Sequence, residues 1–122
     1  MLILIVKVNI QNYMPYLYKN MEYCVEKNQN FQSLKERLDS KEIIVAPGIY
    51  DALSGLFVQQ AGFETVYLSG ASLAYTRYGR PDIGLIGMRE VADAVTAIRE
   101  RIDVDMIVDG DTGYGNALNV IR

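Results

Sequence analysis

The chain has 122 residues, a net charge of −3, 50% hydrophobic residues and 22% charged residues. This length and composition are typical of a single globular domain with a buried core. The acidic balance excludes general affinity for nucleic acids and anionic membranes, because both need a basic surface. The absence of histidine excludes Ser-His-Asp and Cys-His catalysis and zinc sites that need histidine. The single cysteine, Cys24, allows no intrachain disulfide, so we expect a reducing, cytoplasmic location.

The first thirty residues lack the regular pattern of the rest of the chain. The apolar run at residues 1–6 is too short to cross a bilayer, and it lacks the basic flank and cleavage site of an export signal. It indicates either a short strand or an extension without a native role. We therefore expect residues 1–30 to be an extension with little order, and residues 31–122 to form the folded domain.

Helix and strand signals alternate from residue 31 onward. Ser33 is placed to cap a short helix that has Leu34 and Leu38 on one face. The β-branched stretch Ile43–Ala46 predicts a strand, which the Pro-Gly pair after it would end. A second helix is predicted to begin near Asp51.

The second helix is predicted to end at Gly62, and its apolar residues at helical spacing are Leu53, Leu56, Phe57 and Ala61. A second strand follows at Thr65–Ser69, and then a long loop. The stretch "MREVADAVTAIRERI" predicts the clearest helix, with an apolar stripe of Val91, Ala94, Val95, Ile98 and Ile102. "DMIVDGD" predicts a third strand, and "NALNVIR" begins another helix.

This alternation predicts an α/β protein with a parallel sheet. The strands are apolar without alternation, as expected where both faces of a sheet are covered. The unusual residues follow the three strands, at Pro47–Gly48, at Ser69–Ala71 and at Asp109–Gly115. The carboxyl ends of parallel strands share one edge, where ligands bind, so we expect these three loops to converge.

The loop "DGDTGYG" carries two carboxylates, Asp109 and Asp111. It does not match a calcium-binding EF-hand loop, because glycine and tyrosine stand at its fifth and sixth positions, and the chain has no dinucleotide fingerprint. One interpretation is that Asp111 caps the next helix and the glycines form a turn. The alternative is a divalent cation such as Mg²⁺, which would offset the repulsion between two adjacent carboxylates.

Three stretches together resemble a known family: "APGIYDALSGLFVQQAGFETVYLSGASLA", "GRPDIGL" and "IVDGDTGYGNALNV". In this order and spacing they resemble the isocitrate lyase and phosphoenolpyruvate mutase superfamily. The likeness is greatest to its small members, which include methylisocitrate lyase, dimethylmalate lyase, oxaloacetate decarboxylase and phosphonopyruvate mutase. The resemblance runs from about Phe31 to Arg122.

The resemblance implies the first three βα units of an incomplete (β/α)₈ TIM barrel. It also implies a Mg²⁺-dependent carbon–carbon lyase, with Mn²⁺ as an alternative ion, acting on small 2-hydroxy or 2-keto di- and tricarboxylates through an enolpyruvate-type anion. The implied metal residues are Asp82, Asp109 and Asp111, with Asp111 as the direct ligand and Asp109 acting through water. The implied substrate-binding residues are Tyr67, Ser69, Gly70 and Ala71. Without the resemblance, Tyr67 could be a core aromatic residue, and Ser69, Gly70 and Asp82 could be turn residues.

Part of the family pattern is not found in these 122 residues. The family's catalytic loop, of the Lys-Lys-Cys-Gly-His type, has no counterpart, and Cys24 lies before the first strand, in the wrong place to replace it. We therefore expect a fragment that is inactive alone, with an open sheet edge that requires a second copy or the remainder of a barrel. The alternatives are a phosphoenolpyruvate mutase or phosphonopyruvate hydrolase, an oxaloacetate decarboxylase, or a non-catalytic protein that binds a metal and a dicarboxylate.

Overall fold

The computed structural model describes residues 32–40 and 43–121 in full, and the backbone of residues 3–5. Cys24 and the boundary predicted at residue 30 lie outside these residues. The chain divides into two compact units, one of residues 8–44 and one of residues 1–7 together with 45–122. In the part that the structure describes, no helix has the length and apolar character needed to cross a membrane.

The unit of residues 8–44 contains helix α1, Leu34–Asp39. Ser33 caps it as predicted, because its hydroxyl accepts a hydrogen bond from the Glu36 N–H at 3.3 Å. The Glu36 carboxylate accepts one in return from the Ser33 N–H at 2.8 Å. This reciprocal capping box pairs N–H groups that a helix start otherwise leaves without partners.

The other unit is an α/β structure built on three parallel strands, which confirms the predicted class. Strands β2 (Gly48–Ile49), β3 (Thr65–Leu68) and β4 (Asp105–Asp109) are adjacent in that order. A fourth strand, β1 (Ile3–Ile5), pairs antiparallel with the free side of β4, with Ile3 opposite Asp109. Of the two interpretations of the first residues, the short strand is confirmed, and the outer edge of β4 is covered over Ile3–Ile5.

The strand predicted at Ile43–Ala46 is wrong. Residues 43–47 have no regular secondary structure, and the side chains of Ile43 and Val45 are 93% and 61% exposed. Pairing with β3 begins only at Pro47, whose carbonyl accepts a hydrogen bond from the Tyr67 N–H at 3.0 Å. β-branched residues favour an extended backbone, but a strand also requires a partner at the right register, and the local pattern does not contain that information.

Helix α2, Ala52–Gln60, begins where it was predicted but buries a different face. Asp51 caps it by accepting a hydrogen bond from the Ser54 N–H at 2.7 Å. Two members of the predicted apolar set, Leu53 and Phe57, are 58% and 60% exposed. The buried residue is Gly55, where an added Cβ would stand 3.3 Å from Ile102 Cδ1. The helix therefore packs by close backbone approach at a glycine, and not through its largest side chains.

Helix α4, Met88–Arg99, confirms the predicted amphipathic stripe. Val91, Ala94 and Ile98 are buried on it, and Ile102 is buried just beyond its end. At its start the Glu90 carboxylate accepts a hydrogen bond from the Gly87 N–H at 2.7 Å. This bond lowers the pKa of Glu90, so its contribution to stability is present at neutral pH and is lost on acidification through that lowered pKa.

The segment predicted as a long loop after the second strand contains helical structure. Helix α3 spans Gly70–Leu73 and continues into a π-helical turn at Ala74–Tyr78. Gly79, with φ of +59°, ends this turn, and residues 80–87 remain irregular. A helix of four residues is too short to show a period in the sequence. The predicted last helix is present as α5, Ala117–Ile121.

The two faces of the sheet differ in their covering. One face packs against α2 and α4 and forms the core with them. The buried residues of this core are Ile49, Val66, Leu68, Leu73, Val91, Ala94, Ile98, Ile102, Val104, Met106 and Val108. The opposite face carries Tyr67, Ile107 and Asp109, which are only partly buried. We expected both faces of the sheet to be covered, and this is confirmed for only one face of the described sheet. The other face carries residues of the candidate site.

Candidate metal and carboxylate site

A small cleft lies at the carboxyl ends of β3 and β4. Its volume is about 40 Å³, and its lining consists of Gly70, Asp82, Gly84, Ile86, Val91, Asp109, Asp111 and Tyr114. All three predicted metal residues are in this lining, although Asp82 comes from a segment of the chain far from the other two in sequence. Of the three predicted loops, the second and third contribute to the cleft, whereas Pro47–Gly48 does not line it.

Asp109, the last residue of β4, is held at both carboxylate oxygens. Its Oδ1 accepts a hydrogen bond from the Asp111 N–H at 2.9 Å, and its Oδ2 accepts one from the Tyr67 hydroxyl at 3.2 Å. Tyr67 and Asp109 point to the same face because Tyr67 is paired with Ile107, two residues before Asp109. With both oxygens engaged, Asp109 is suited to contact a cation through water, as the resemblance implies.

Asp111 occupies a different environment from Asp109. Its backbone is in the left-handed region, with φ of +48°, in a turn that the hydrogen bond from the Gly113 N–H to the Gly110 carbonyl closes at 2.8 Å. No hydrogen bond from the described residues reaches its carboxylate, which remains available to a ligand. The interpretation of Asp111 as a helix cap is wrong, because Asn116 caps α5 by accepting from the Leu118 N–H at 3.0 Å.

Asp82 lines the cleft from the irregular segment after the π-helical turn. It follows Pro81, whose carbonyl accepts a hydrogen bond from the Ile83 N–H at 3.0 Å. Gly84, two positions after Asp82, has a φ of +73°. The Asp82 side chain is exposed. Asp82 therefore belongs to a tight turn and also faces the cleft, so the two interpretations of this residue are compatible.

Of the four predicted substrate-binding residues, Tyr67 lies in β3 and the other three directly follow this strand. Tyr67 is not simply a core aromatic residue, because it is half-buried and its hydroxyl is bonded to Asp109. The Ser69 hydroxyl caps α3, accepting from the Ser72 N–H at 3.5 Å. Of the four, only Gly70 lines the cleft, and Tyr67, Ser69 and Ala71 are outside the lining.

The lining of the cleft includes three acidic residues, Asp82, Asp109 and Asp111. Burial, and after it the Asp109 carboxylate, raises the pKa of Tyr67 and that of Tyr114. Both phenols therefore keep their protons at neutral pH and act as hydrogen-bond donors. Concentrated negative charge of this kind favours a bound cation.

The residues present fit a hydrated Mg²⁺ better than an ion enclosed by protein. Within residues 32–40 and 43–121, no three acidic or cysteine side chains lie close enough to surround a metal. Mg²⁺ characteristically binds one or two carboxylates and keeps several waters, which leaves coordination positions for a substrate. One free carboxylate, at Asp111, and a held one, at Asp109, match that requirement.

The sequence did not identify Tyr114 as part of the site. Its hydroxyl donates a hydrogen bond to the Asp109 carbonyl at 2.9 Å, and its φ is +58°. A tyrosine between two glycines resembles an ordinary loop residue, and nothing in its sequence context reveals a left-handed backbone. A larger cleft of about 250 Å³ lies beside α4, with Tyr78, Arg80 and Glu90 in its lining, and none of the predicted site residues contributes to it.

The fold and the site define an α/β protein whose acidic cleft lies at the carboxyl edge of a parallel sheet. The family model described as phosphoenolpyruvate phosphomutase matches residues 34–122. The chain therefore belongs to this family, within the isocitrate lyase and phosphoenolpyruvate mutase superfamily.

Named relatives in this superfamily include lyases. The chain is 40% identical over 89 residues to 2,3-dimethylmalate lyase of Eubacterium barkeri, covering 73% of this chain and 31% of that protein. It is 42% identical over 89 residues to 2-methylisocitrate lyase of Aeropyrum pernix, covering 73% of this chain and 29% of that protein.

A solved structure shows the same similarity. The trigonal crystal form of 2,3-dimethylmalate lyase superposes with a TM-score of 0.66 at 34% sequence identity, covering 72% of this chain and 30% of that one. The chain thus spans about 30% of the length of these relatives.

Proposed function

We propose that this chain provides the metal- and carboxylate-binding part of a carbon–carbon bond lyase. Its substrates would be small 2-hydroxy or 2-keto di- and tricarboxylates. The observation that carries the proposal is the cluster of Tyr67, Asp109 and Asp111 at the carboxyl edge of the sheet. The cluster lies within residues 34–122, which match the family model, and the 40% identity of the chain to a named lyase over 89 residues supports the same assignment.

The proposed cation is Mg²⁺, with Mn²⁺ as a substitute. Asp111 would hold it directly, Asp109 would hold it through water, and Asp82 would complete the acidic lining of the cleft. When bound, the ion would supply Lewis-acid stabilisation of the negative charge that develops on a substrate oxygen during bond cleavage.

The remaining residues would bind and orient the substrate. The hydroxyl of Ser69 and the N–H groups of Gly70 and Ala71 stand where α3 begins, and the first N–H groups of a helix have no partner within the helix. Such donors are suited to a carboxylate or keto oxygen of the substrate. Tyr67, whose raised pKa keeps it protonated, would hold Asp109 in place.

We propose that these 122 residues alone bind the metal and the substrate but do not catalyse the reaction. They contain no histidine and no Lys-Lys-Cys-Gly-His loop, so the catalytic loop that the resemblance implies is not among them. A complete (β/α)₈ barrel, formed with further strands or in an assembly of chains, would supply the missing groups. A cytoplasmic location also remains a proposal, consistent with the single cysteine.

Titration with oxalate, followed by calorimetry, tests the proposed binding function. Oxalate is a planar dicarboxylate that resembles the enolate of a 2-keto acid. We expect it to bind in the presence of Mg²⁺ and not in the presence of EDTA. Ser69→Ala should weaken binding roughly tenfold or more, because a hydrogen bond to a charged group contributes about 1.5–3 kcal/mol. Ser40→Ala, in the other unit, is the matched control and should bind as the original chain does.

Two results would contradict the proposal. Failure of oxalate to bind to a folded chain with Mg²⁺ present would remove the binding function. Release of pyruvate from 2-methylisocitrate or 2,3-dimethylmalate, abolished by Asp111→Asn, would show that the chain alone carries a complete catalytic site. The second result would replace binding without turnover by full lyase activity.

A further inference from the structure

The loop that presents Asp111 has an unusual backbone. Three of its residues have positive φ angles: Asp111 at +48°, Gly113 at +93° and Tyr114 at +58°. Glycine adopts this region without steric cost, aspartate enters it with some penalty, and a bulky tyrosine is rarely found there. Local sequence preference alone would not maintain this conformation, so contacts within the fold must hold it.

Tyr114 makes the contacts that hold the loop. Its ring is partly buried against the core cluster, and its hydroxyl donates to the Asp109 carbonyl at 2.9 Å. The side chain thus ties the far end of the loop to the last residue of β4. The turn between them is closed by the hydrogen bond from the Gly113 N–H to the Gly110 carbonyl at 2.8 Å.

Asp111 lies between these two anchored points. On one side, its own N–H is bonded to Asp109 Oδ1 at 2.9 Å. On the other side, the chain passes through Gly113 to Tyr114 and returns through the hydroxyl to Asp109. Movement of Tyr114 would therefore change the direction of the Asp111 carboxylate, although Tyr114 need not touch a ligand itself.

We propose that Tyr114 is a positioning residue, which holds the Asp111 carboxylate toward the cation through its hydrogen bond to the Asp109 carbonyl. This inference rests on the metal site proposed above. Residues that support a metal ligand through hydrogen bonds fix the orientation of that ligand before the ion binds. Their loss typically weakens metal affinity about 10–100-fold.

Tyr114→Phe tests the inference, because it removes only the hydroxyl and keeps the ring that packs against the core. The matched control is Tyr78→Phe, which removes a phenol hydroxyl beside Glu90, outside the metal cleft. Mn²⁺ is the probe, with free and bound ion distinguished by electron paramagnetic resonance. We expect Tyr114→Phe to weaken Mn²⁺ binding about tenfold and to change the spectrum of the bound ion, whereas Tyr78→Phe changes affinity less than twofold.

A second measurement does not depend on metal. Hydrogen exchange of the Asp111 amide should become faster in Tyr114→Phe and stay unchanged in Tyr78→Phe, because this amide is the donor to Asp109 Oδ1. If the variant is less stable overall, the amides of β4 will also exchange faster. Comparing the exchange of the Asp111 amide with that of the β4 amides then separates a change in the loop from a general loss of stability.

The possible failures can be separated. If the original chain binds Mn²⁺ and Tyr114→Phe binds it equally well, with unchanged Asp111 exchange, the positioning role is wrong and the metal site stands. If the original chain does not bind Mn²⁺, the proposed metal site and the positioning role both fail.

Discussion

Replacing Asp111 with asparagine should abolish most of the divalent-metal affinity that we propose for this chain. Asp111 offers a carboxylate that accepts no hydrogen bond from the described residues, whereas both oxygens of Asp109 are already engaged. Loss of the proposed direct ligand should weaken binding by roughly 100-fold or more, because even residues that only support a metal ligand contribute about 10–100-fold. Calorimetric titration with Mg²⁺ and Mn²⁺ measures the change.

Replacement by asparagine removes the carboxylate proposed to bind the metal without requiring a new backbone conformation of the loop. Asparagine tolerates the left-handed backbone that Asp111 adopts at φ of +48°, so the loop should keep its conformation. Asp93→Asn is the matched control, because it removes the same charge from the exposed face of α4, where Asp93 pairs with Arg89 at 3.3 Å. Equal weakening by both variants would indicate a general effect of net charge and would contradict a site at Asp111.

Ile98→Ala should cause the largest loss of stability among single substitutions that we consider. Ile98 is 0% exposed and lies in the core between α4 and the sheet. Truncating a buried isoleucine to alanine costs about 2–5 kcal/mol, from lost burial and from the cavity that remains. The free energy of unfolding, measured with urea, checks the expectation.

Leu53→Ala is the informative comparison for that measurement. The sequence pattern places Leu53 on the apolar side of α2, yet the side chain is 58% exposed. A substitution at such a position should change the free energy of unfolding by no more than about 0.5 kcal/mol. A loss at Leu53 as large as that at Ile98 would mean that α2 buries the face that the sequence predicted.

The strongest sequence patterns located the parts of the fold that depend on local information. Helix α4 has a wide apolar stripe on an otherwise charged helix, and such a pattern permits one orientation only. Helix α2 lacks that contrast, because apolar residues occur around most of its circumference. It buries Gly55, where an added Cβ would stand 3.3 Å from Ile102 Cδ1, and such a long-range fit is not encoded in periodicity.

The same distinction applies to the site. The positions of Asp109 and Ser69 followed from a general rule, that the carboxyl ends of parallel strands form a ligand-binding edge. The role proposed for Asp111 came from the resemblance, whereas the role proposed for Tyr114 depends on a backbone angle and on a hydrogen bond to a carbonyl, which leave no trace in residue type or spacing. Similarly, the pairing of Ile3–Ile5 with β4 joins residues about a hundred positions apart, beyond the reach of a local pattern.

Paramagnetic broadening by Mn²⁺ in the amide spectrum of the chain tests the proposed metal site most directly, since it locates the ion without requiring turnover. We predict that Gly70, Gly84 and Gly110, at the cleft and beside it, broaden at the lowest Mn²⁺ concentrations, while Gly62, at the end of α2, stays sharp. Uniform broadening, or broadening first at Gly62, would contradict a metal site at the carboxyl edge of the sheet.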